Sequence, residues 1–112
     1  MTALVVKLGG RALEAPGAVD EFAAALRLLQ PAVVVHGGGS DVSAWCARLG
    51  IEPQFAAGLR VTDDATLEVA VAVLAGLANK RLVARLRARG VNAVGFSLAD
   101  GGTLDVDRKS VV

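Results

Sequence analysis

The sequence predicts an α/β fold built on parallel strands, on three observations. Two short valine-rich runs, VVKLGG at 5–10 and VVVHGGG at 33–39, each end in glycines. A stretch of helical period separates them, with Val19, Phe22, Ala23, Leu26 and Leu29 recurring on one side between Pro16-Gly17 and Pro31. A helix start also follows the second run directly. A strand, a helix and a second strand in that order make a right-handed crossover with parallel strands.

Each element follows from its residues. Residues 4–8 are a β-branched apolar run, the first strand, and residues 32–35 are the second. Ser40 is placed to cap the next helix, whose inward stripe is Val42, Trp45, Cys46 and Leu49, with Gly50 as its stop. Residues 53–62 lack helical period and predict extended structure or a hairpin containing Gly58 and Arg60. Thr62-Asp63-Asp64 starts a helix, with acids where the helix dipole favours them. Residues 67–78 are apolar nearly all round, so this helix is expected to be buried on two sides, one against the sheet and one against a second copy of the chain. A further helix is predicted over 81–89, with Leu82, Val83 and Leu86 inward and Gly90 as its stop. A third strand is predicted over 92–98, then a turn at 99–102 and a weakly alternating arm at 104–108.

Composition narrows the function classes. The chain has 112 residues, enough for one core, and 54% are hydrophobic. The longest run free of polar side chains, 69–78, is too short to span a membrane, and no export signal is visible. The single cysteine, Cys46, excludes an internal disulfide or a cysteine-based zinc site, and cysteine usage of this kind predicts a reducing cytoplasm. The net charge of +1 argues against a nucleic-acid surface. Lys80, Arg81, Arg85, Arg87 and Arg89 crowd one segment, but no aromatic residue sits among them to stack on a base, so they predict a solvated helix face.

The glycine turns carry the chemistry. Glycine brings bare N–H groups close to a ligand, and main-chain donors at a helix N-terminus bind anions. Neither the GxxxxGK[ST] nor the GxGxxG pattern occurs. What remains is Lys7 with Gly9 and Gly10 after one strand, and Gly37 to Gly39 before a helix after the next. Loops at the carboxyl ends of adjacent parallel strands are where open α/β sheets bind ligands. The pair predicts a site for an anion, phosphate above all. His36 is expected to be structural. GFSLA at 95–99 falls one residue short of a nucleophile elbow, and no histidine follows Ser97 to complete a triad. Arg60 either clamps a carboxylate in bidentate fashion or pairs with Asp63 or Asp64.

With VVKLGG, VVVHGGG, GLRVTD and ANKRLV in this order, the chain resembles the amino acid kinase family over nearly its whole length, GLRVTD being the most discriminating segment. The resemblance implies a three-layer α/β/α sandwich around a mainly parallel sheet, with residues 1–112 as the N-terminal, acyl-amino-acid-binding half and the ATP-binding half absent. It implies phosphoryl transfer from ATP, with Mg²⁺, to the side-chain carboxylate of N-acetyl-L-glutamate. A kinase of carrier-linked aminoadipate or glutamate, and a non-catalytic dicarboxylate-binding or dimerisation module, are the alternatives. Lys7 would contact the transferring phosphoryl group, and Gly9 and Gly10 would approach the phosphates. Gly38 and Gly39 would hold the substrate's carboxyl end, and Arg60 its α-carboxylate. No metal ligand is assigned. The helix at 67–78 would be a homodimer interface. The turn SLADGG departs from the family in lacking an SG pair, and a start directly at the first strand implies an arginine-insensitive dimer.

Overall fold

The two glycine-ended runs form β1 (Leu4–Leu8) and β2 (Ala32–His36) in a computed structural model that describes residues 3–29, 31–102 and 104–105. The strands pair in parallel, Leu4 opposite Ala32 and Leu8 opposite His36. Both glycine turns begin one residue beyond the last rung, so this register sets them side by side.

The connection is α1 (Ala18–Leu28), which Gly17 enters at φ 79°. Its Ala23 and Leu26 form a core with Leu86 and Val91, against which Phe22, Ala32, Val34, Leu82 and Ala93 pack. One face of the strand pair is thereby covered. Side chains alternate along a strand, and on the other face Val5, Val33 and Val35 are exposed with Lys7 among them. Leu29, expected inward, is exposed because the helix ends before it.

After β2 comes α2 (Gly39–Arg48), with Val42 and Cys46 buried. Gly38, not Ser40, holds the N-cap position, and no side chain caps the helix. Only Gly37 and Gly38 separate strand from helix, so Ser40 already lies in the first turn. Leu49, counted in the inward stripe, is exposed just past the last turn. The helix stops as its glycine predicts: Gly50 has φ 73°, Gly50 N–H donates to Ala47 O and Ile51 N–H to Cys46 O. This bond pair satisfies the last carbonyls of the helix. The same pair recurs at Gly90, from Gly90 to Arg87 O and from Val91 to Leu86 O.

Residues 53–62 contain a hairpin of β3 (Gln54–Ala56) and β4 (Leu59–Val61). Ala57 and Gly58 both have positive φ, the primed turn that two-residue hairpins favour.

Helix α3 (Asp64–Ala70) follows, then a π-helical segment, Val71–Ala78, then α4 (Asn79–Arg87). The junction residues Val71, Ala78 and Asn79 all keep right-handed helical torsions. The two helices expected here are therefore one rod over 64–87, since neither glycine nor proline breaks the chain at 78–81. Val69 and Val73 pack on Val42 and Cys46 in a second core, while Leu67 and Val71 on the far side are exposed. Residues 74–78 are half-buried all round, while Leu67, Glu68, Val71 and Ala72 stay exposed.

Asp63 caps the rod, accepting from Thr66 N–H at 2.8 Å. Hydrogen bonds from Thr66, its side chain first and its backbone second, hold the Asp63 carboxyl below the usual 3.8. A lowered carboxyl stabilises the fold above its unfolded pKa, and that contribution is lost as pH falls through the folded value. Asn caps as well as Asp but does not titrate. The urea midpoint of Asp63→Asn is therefore expected to fall less than that of the parent when pH drops from about 6 to about 3.

The third strand does not form. Residues 91–98 form no strand; they alternate in burial, with Val91, Ala93, Gly95 and Ser97 inward, but they join no ladder. Gly95 O is taken by Lys80 and Ala93 N–H by Val91 O, and this segment and β2 wall a cavity of about 910 Å³. The turn at 99–102 is present as a short 3₁₀ helix, Asp100–Gly102. The arm expected at 104–108 lies outside the described residues beyond Asp105. No helix among the described residues is long and apolar enough to cross a membrane.

Candidate functional site

The strand register brings the carboxyl ends of β1 and β2 to one edge. There Gly9 and Gly10, His36 and Gly37, Asp41 of α2, and Arg81 and Arg85 of α4 line a cleft of about 210 Å³. A Cβ built at Gly9 or Gly10 would meet nothing within 4 Å, so packing leaves open space there. Lys7 stands opposite Val35, one rung before the cleft, and its side chain falls on the bare face of the pair. Lys7 and the Gly37–Gly39 turn thus share one end of the sheet.

Gly38 is held tightly. A Cβ there would lie 2.8 Å from Leu74 Cδ2, and Gly38 O accepts from Val42 N–H. Gly38 N–H and Gly39 N–H have no backbone acceptor among the described residues. They stand at the N-terminus of α2, where the dipole favours negative charge.

Arg60 reaches this turn from β4. Its Nη2 donates to Gly39 O at 3.1 Å and to Ser43 Oγ at 2.9 Å, and its guanidinium carbon lies 4.9 Å from the centre of the Phe55 ring. The pairing with Asp63 or Asp64 does not occur. Arg60 Nη1 is buried with no hydrogen-bond partner. A buried donor without an acceptor is costly, and a guanidinium fixed on one nitrogen with the other free suits an incoming carboxylate.

The basic segment is a solvated helix face as expected, with Lys80, Arg81, Arg85 and Arg87 exposed, and several of these side chains also reach across to neighbouring elements. Arg89 is ion-paired with Asp20, Arg85 Nη2 donates to Leu13 O at 3.3 Å, and Lys80 Nζ donates to Gly95 O at 2.8 Å. Arg81 and Arg85, four apart and flanking the apolar Leu82, Val83 and Leu86, edge the cleft. That spacing was readable in the sequence; Asn79 stood out only as part of the ANKRLV segment, with no role, and Asp41 not at all. His36 is structural as expected, with Nδ1 3.0 Å from Gly37 O and Nε2 3.0 Å from Asn79 Nδ2. Among the described residues no three His, Cys, Asp or Glu side chains gather to hold a metal.

An acetylglutamate kinase of Methanopyrus kandleri is 49% identical over 108 residues, which is 96% of this chain and 42% of that protein. One of Dehalococcoides mccartyi is 46% identical, covering 90% of this chain and 38% of its own length. A protein of Ignicoccus hospitalis named as a LysW-aminoadipate/LysW-glutamate kinase is 46% identical, covering 97% and 42%. The chain thus spans about two fifths of the curated relatives it matches. Among solved structures, smu.665 of Streptococcus mutans superposes with a TM-score of 0.67 at 26% identity, over 80% of this chain and 37% of that one. N-acetylglutamate synthase of Neisseria gonorrhoeae, complexed with coenzyme A and L-arginine, gives 0.55 at 30%, over 86% and 22%. The amino acid kinase family model matches residues 2–112. The paired glycine turns on parallel strands and this match across nearly the whole sequence lead to one assignment: the chain belongs to the amino acid kinase family.

Proposed function

We propose that this chain is the substrate-holding part of a kinase that phosphorylates the side-chain carboxylate of N-acetyl-L-glutamate. The observation that carries the reading is the buried, unpartnered Nη1 of Arg60, fixed beside the Gly38–Gly39 turn. Arg60 takes the α-carboxylate, with the Gly38 and Gly39 N–H groups as further donors. ATP, when bound, supplies the phosphoryl group. Gly9 and Gly10 give its phosphates close access, and Lys7, Arg81 and Arg85 supply positive charge at the same sheet edge. No step is assigned to Mg²⁺ through this chain's residues.

The attacking carboxylate is ionised at neutral pH and needs no general base. The obstacle is charge. Two like charges about 4 Å apart at an effective dielectric of about 20 repel by roughly 4 kcal/mol. Cations and aligned N–H groups offset that repulsion, and positioning does the rest. Lys7→Ala is expected to lower kcat by about 100- to 1,000-fold, the scale of one lost transition-state donor, in a steady-state assay of the active kinase. An unchanged kcat would remove Lys7 from the reaction.

Calorimetry on the 112-residue chain tests the clamp directly. N-acetyl-L-glutamate is expected to bind at least about tenfold more tightly than 4-acetamidobutyrate, which lacks the α-carboxylate. Equal affinities overturn the reading. A carrier-linked aminoadipate or glutamate substrate is the second reading, favoured by the likeness to the Ignicoccus hospitalis protein. The exposed Leu67 and Val71 of the rod support a homodimer joined through residues 67–78.

A further inference from the structure

Four side-chain contacts tie the second glycine turn to α4 and the 91–98 segment. Lys80 Nζ donates to Gly95 O at 2.8 Å and to Asn79 Oδ1 at 2.9 Å. Asn79 Nδ2 lies 3.0 Å from His36 Nε2, and His36 Nδ1 lies 3.0 Å from Gly37 O. Asn79 is buried at 7% exposure, so its amide must be satisfied internally.

The direction of every bond follows from what each group can do. An ammonium only donates, so it turns Asn79 Oδ1 toward itself and leaves Nδ2 for the ring. An amide nitrogen also only donates, so Nε2 accepts and carries no proton. At the other end Gly37 O only accepts, so Nδ1 carries the proton. Both ends require the same species, neutral His36 protonated at Nδ1.

That tautomer matters for the ligand turn. A peptide bond without proline is trans, and its C=O and N–H point in opposite directions. Holding Gly37 O therefore fixes where Gly38 N–H points. The next peptide is held as well, because Gly38 O accepts from Val42 N–H at 3.0 Å. We propose that Asn79, backed by Lys80, is a positioning residue that selects the Nδ1–H tautomer of His36 and so aims Gly38 N–H at the anionic ligand. The inference rests on the reading of the Gly38–Gly39 turn as the carboxylate holder. A residue that merely filled space at position 79 would leave the ring free to take its other tautomer.

The chain has one histidine, so its imidazole nitrogens give one set of NMR signals without assignment. In the ¹⁵N-labelled 112-residue chain without ligand, Nδ1 is expected to be protonated and Nε2 to be an acceptor. A neutral ring protonated at Nε2 overturns the proposal. In Asn79→Leu the Nε2–H form is expected to appear and the Kd for N-acetyl-L-glutamate to rise about tenfold. Lys80→Met changes only an exposed side chain and keeps the test open should Asn79→Leu not fold. Its Nδ1–H population is expected to fall, with about a threefold rise in Kd. An unchanged tautomer, or a changed tautomer with unchanged Kd, sinks the proposal. An unmodified chain with the expected tautomer that does not bind N-acetyl-L-glutamate defeats the carboxylate reading, and the aiming role with it. A binding chain with the Nε2–H tautomer defeats the present inference alone.

Discussion

Arg60→Lys is expected to weaken binding of N-acetyl-L-glutamate by about 10- to 100-fold, the equivalent of one hydrogen bond to a charged group. The two residues carry the same charge, so the loss comes from shape. The Arg60 guanidinium is fixed by Gly39 O and Ser43 Oγ on one nitrogen and presents the other, buried and unpartnered. An ammonium has no planar fork, so it cannot hold the turn and a carboxylate with separate nitrogens in that geometry. Contact with Phe55 adds a second loss, since guanidinium stacks on a ring better than a hydrated ammonium does. The effect should fall on KM, with kcat little changed, because the α-carboxylate does not react. Calorimetry on the chain and steady-state kinetics on the active kinase check the two parts. A Kd within twofold of the parent would show that Arg60 serves the hairpin alone.

Gly95→Ala is expected to cost about 2–3 kcal/mol, at the upper part of the range for overpacking, and to lower Tm by roughly 10 °C. A Cβ at Gly95 would lie 2.1 Å from Asn79 Oδ1 and 2.7 Å from Val83 Cγ2. Neither neighbour can yield easily. Asn79 is buried and hydrogen-bonded to His36, and Val83 is β-branched on a helix and stiff. Gly95 has no left-handed torsion, so the penalty is steric. Thermal and urea unfolding of the variant measure it. At Gly9, where the added methyl meets nothing, alanine should leave Tm nearly unchanged. A Gly95→Ala chain as stable as Gly9→Ala would contradict this packing.

What the sequence disclosed was whatever depends on local pattern. The strand pair, α1, α2, the helix stops at Gly50 and Gly90 and the start at Asp63 all follow from period and punctuation, and the structure places them accordingly. Arg60 and the Gly38–Gly39 turn were legible as candidates because glycines and an arginine in those contexts have few other uses. The failures lie where distance along the chain decides. A strand needs a partner's edge as well as its own alternation, and residues 91–98 have only the alternation. No pattern breaks the helix at 78–81, because the use of Asn79 appears only when His36 of β2, 43 residues away, comes alongside it. Arg81 and Arg85 are exposed as the sequence predicts, but their place at the cleft was not legible, because an i, i+4 pair looks the same facing open water or a cleft.

The π-helical turns at Val71–Ala78 have a geometric consequence. In an α-helix each residue advances the spiral by about 100°, whereas a π turn fits more residues into each revolution. The segment thus works as a phase adjuster between Val69 and Val73, which face α2, and Asn79, which faces His36. Winding the same eight residues as regular α-helix would swing everything downstream around the axis. The inward side of α4 would then turn away from the sheet, although no residue of that helix had been altered.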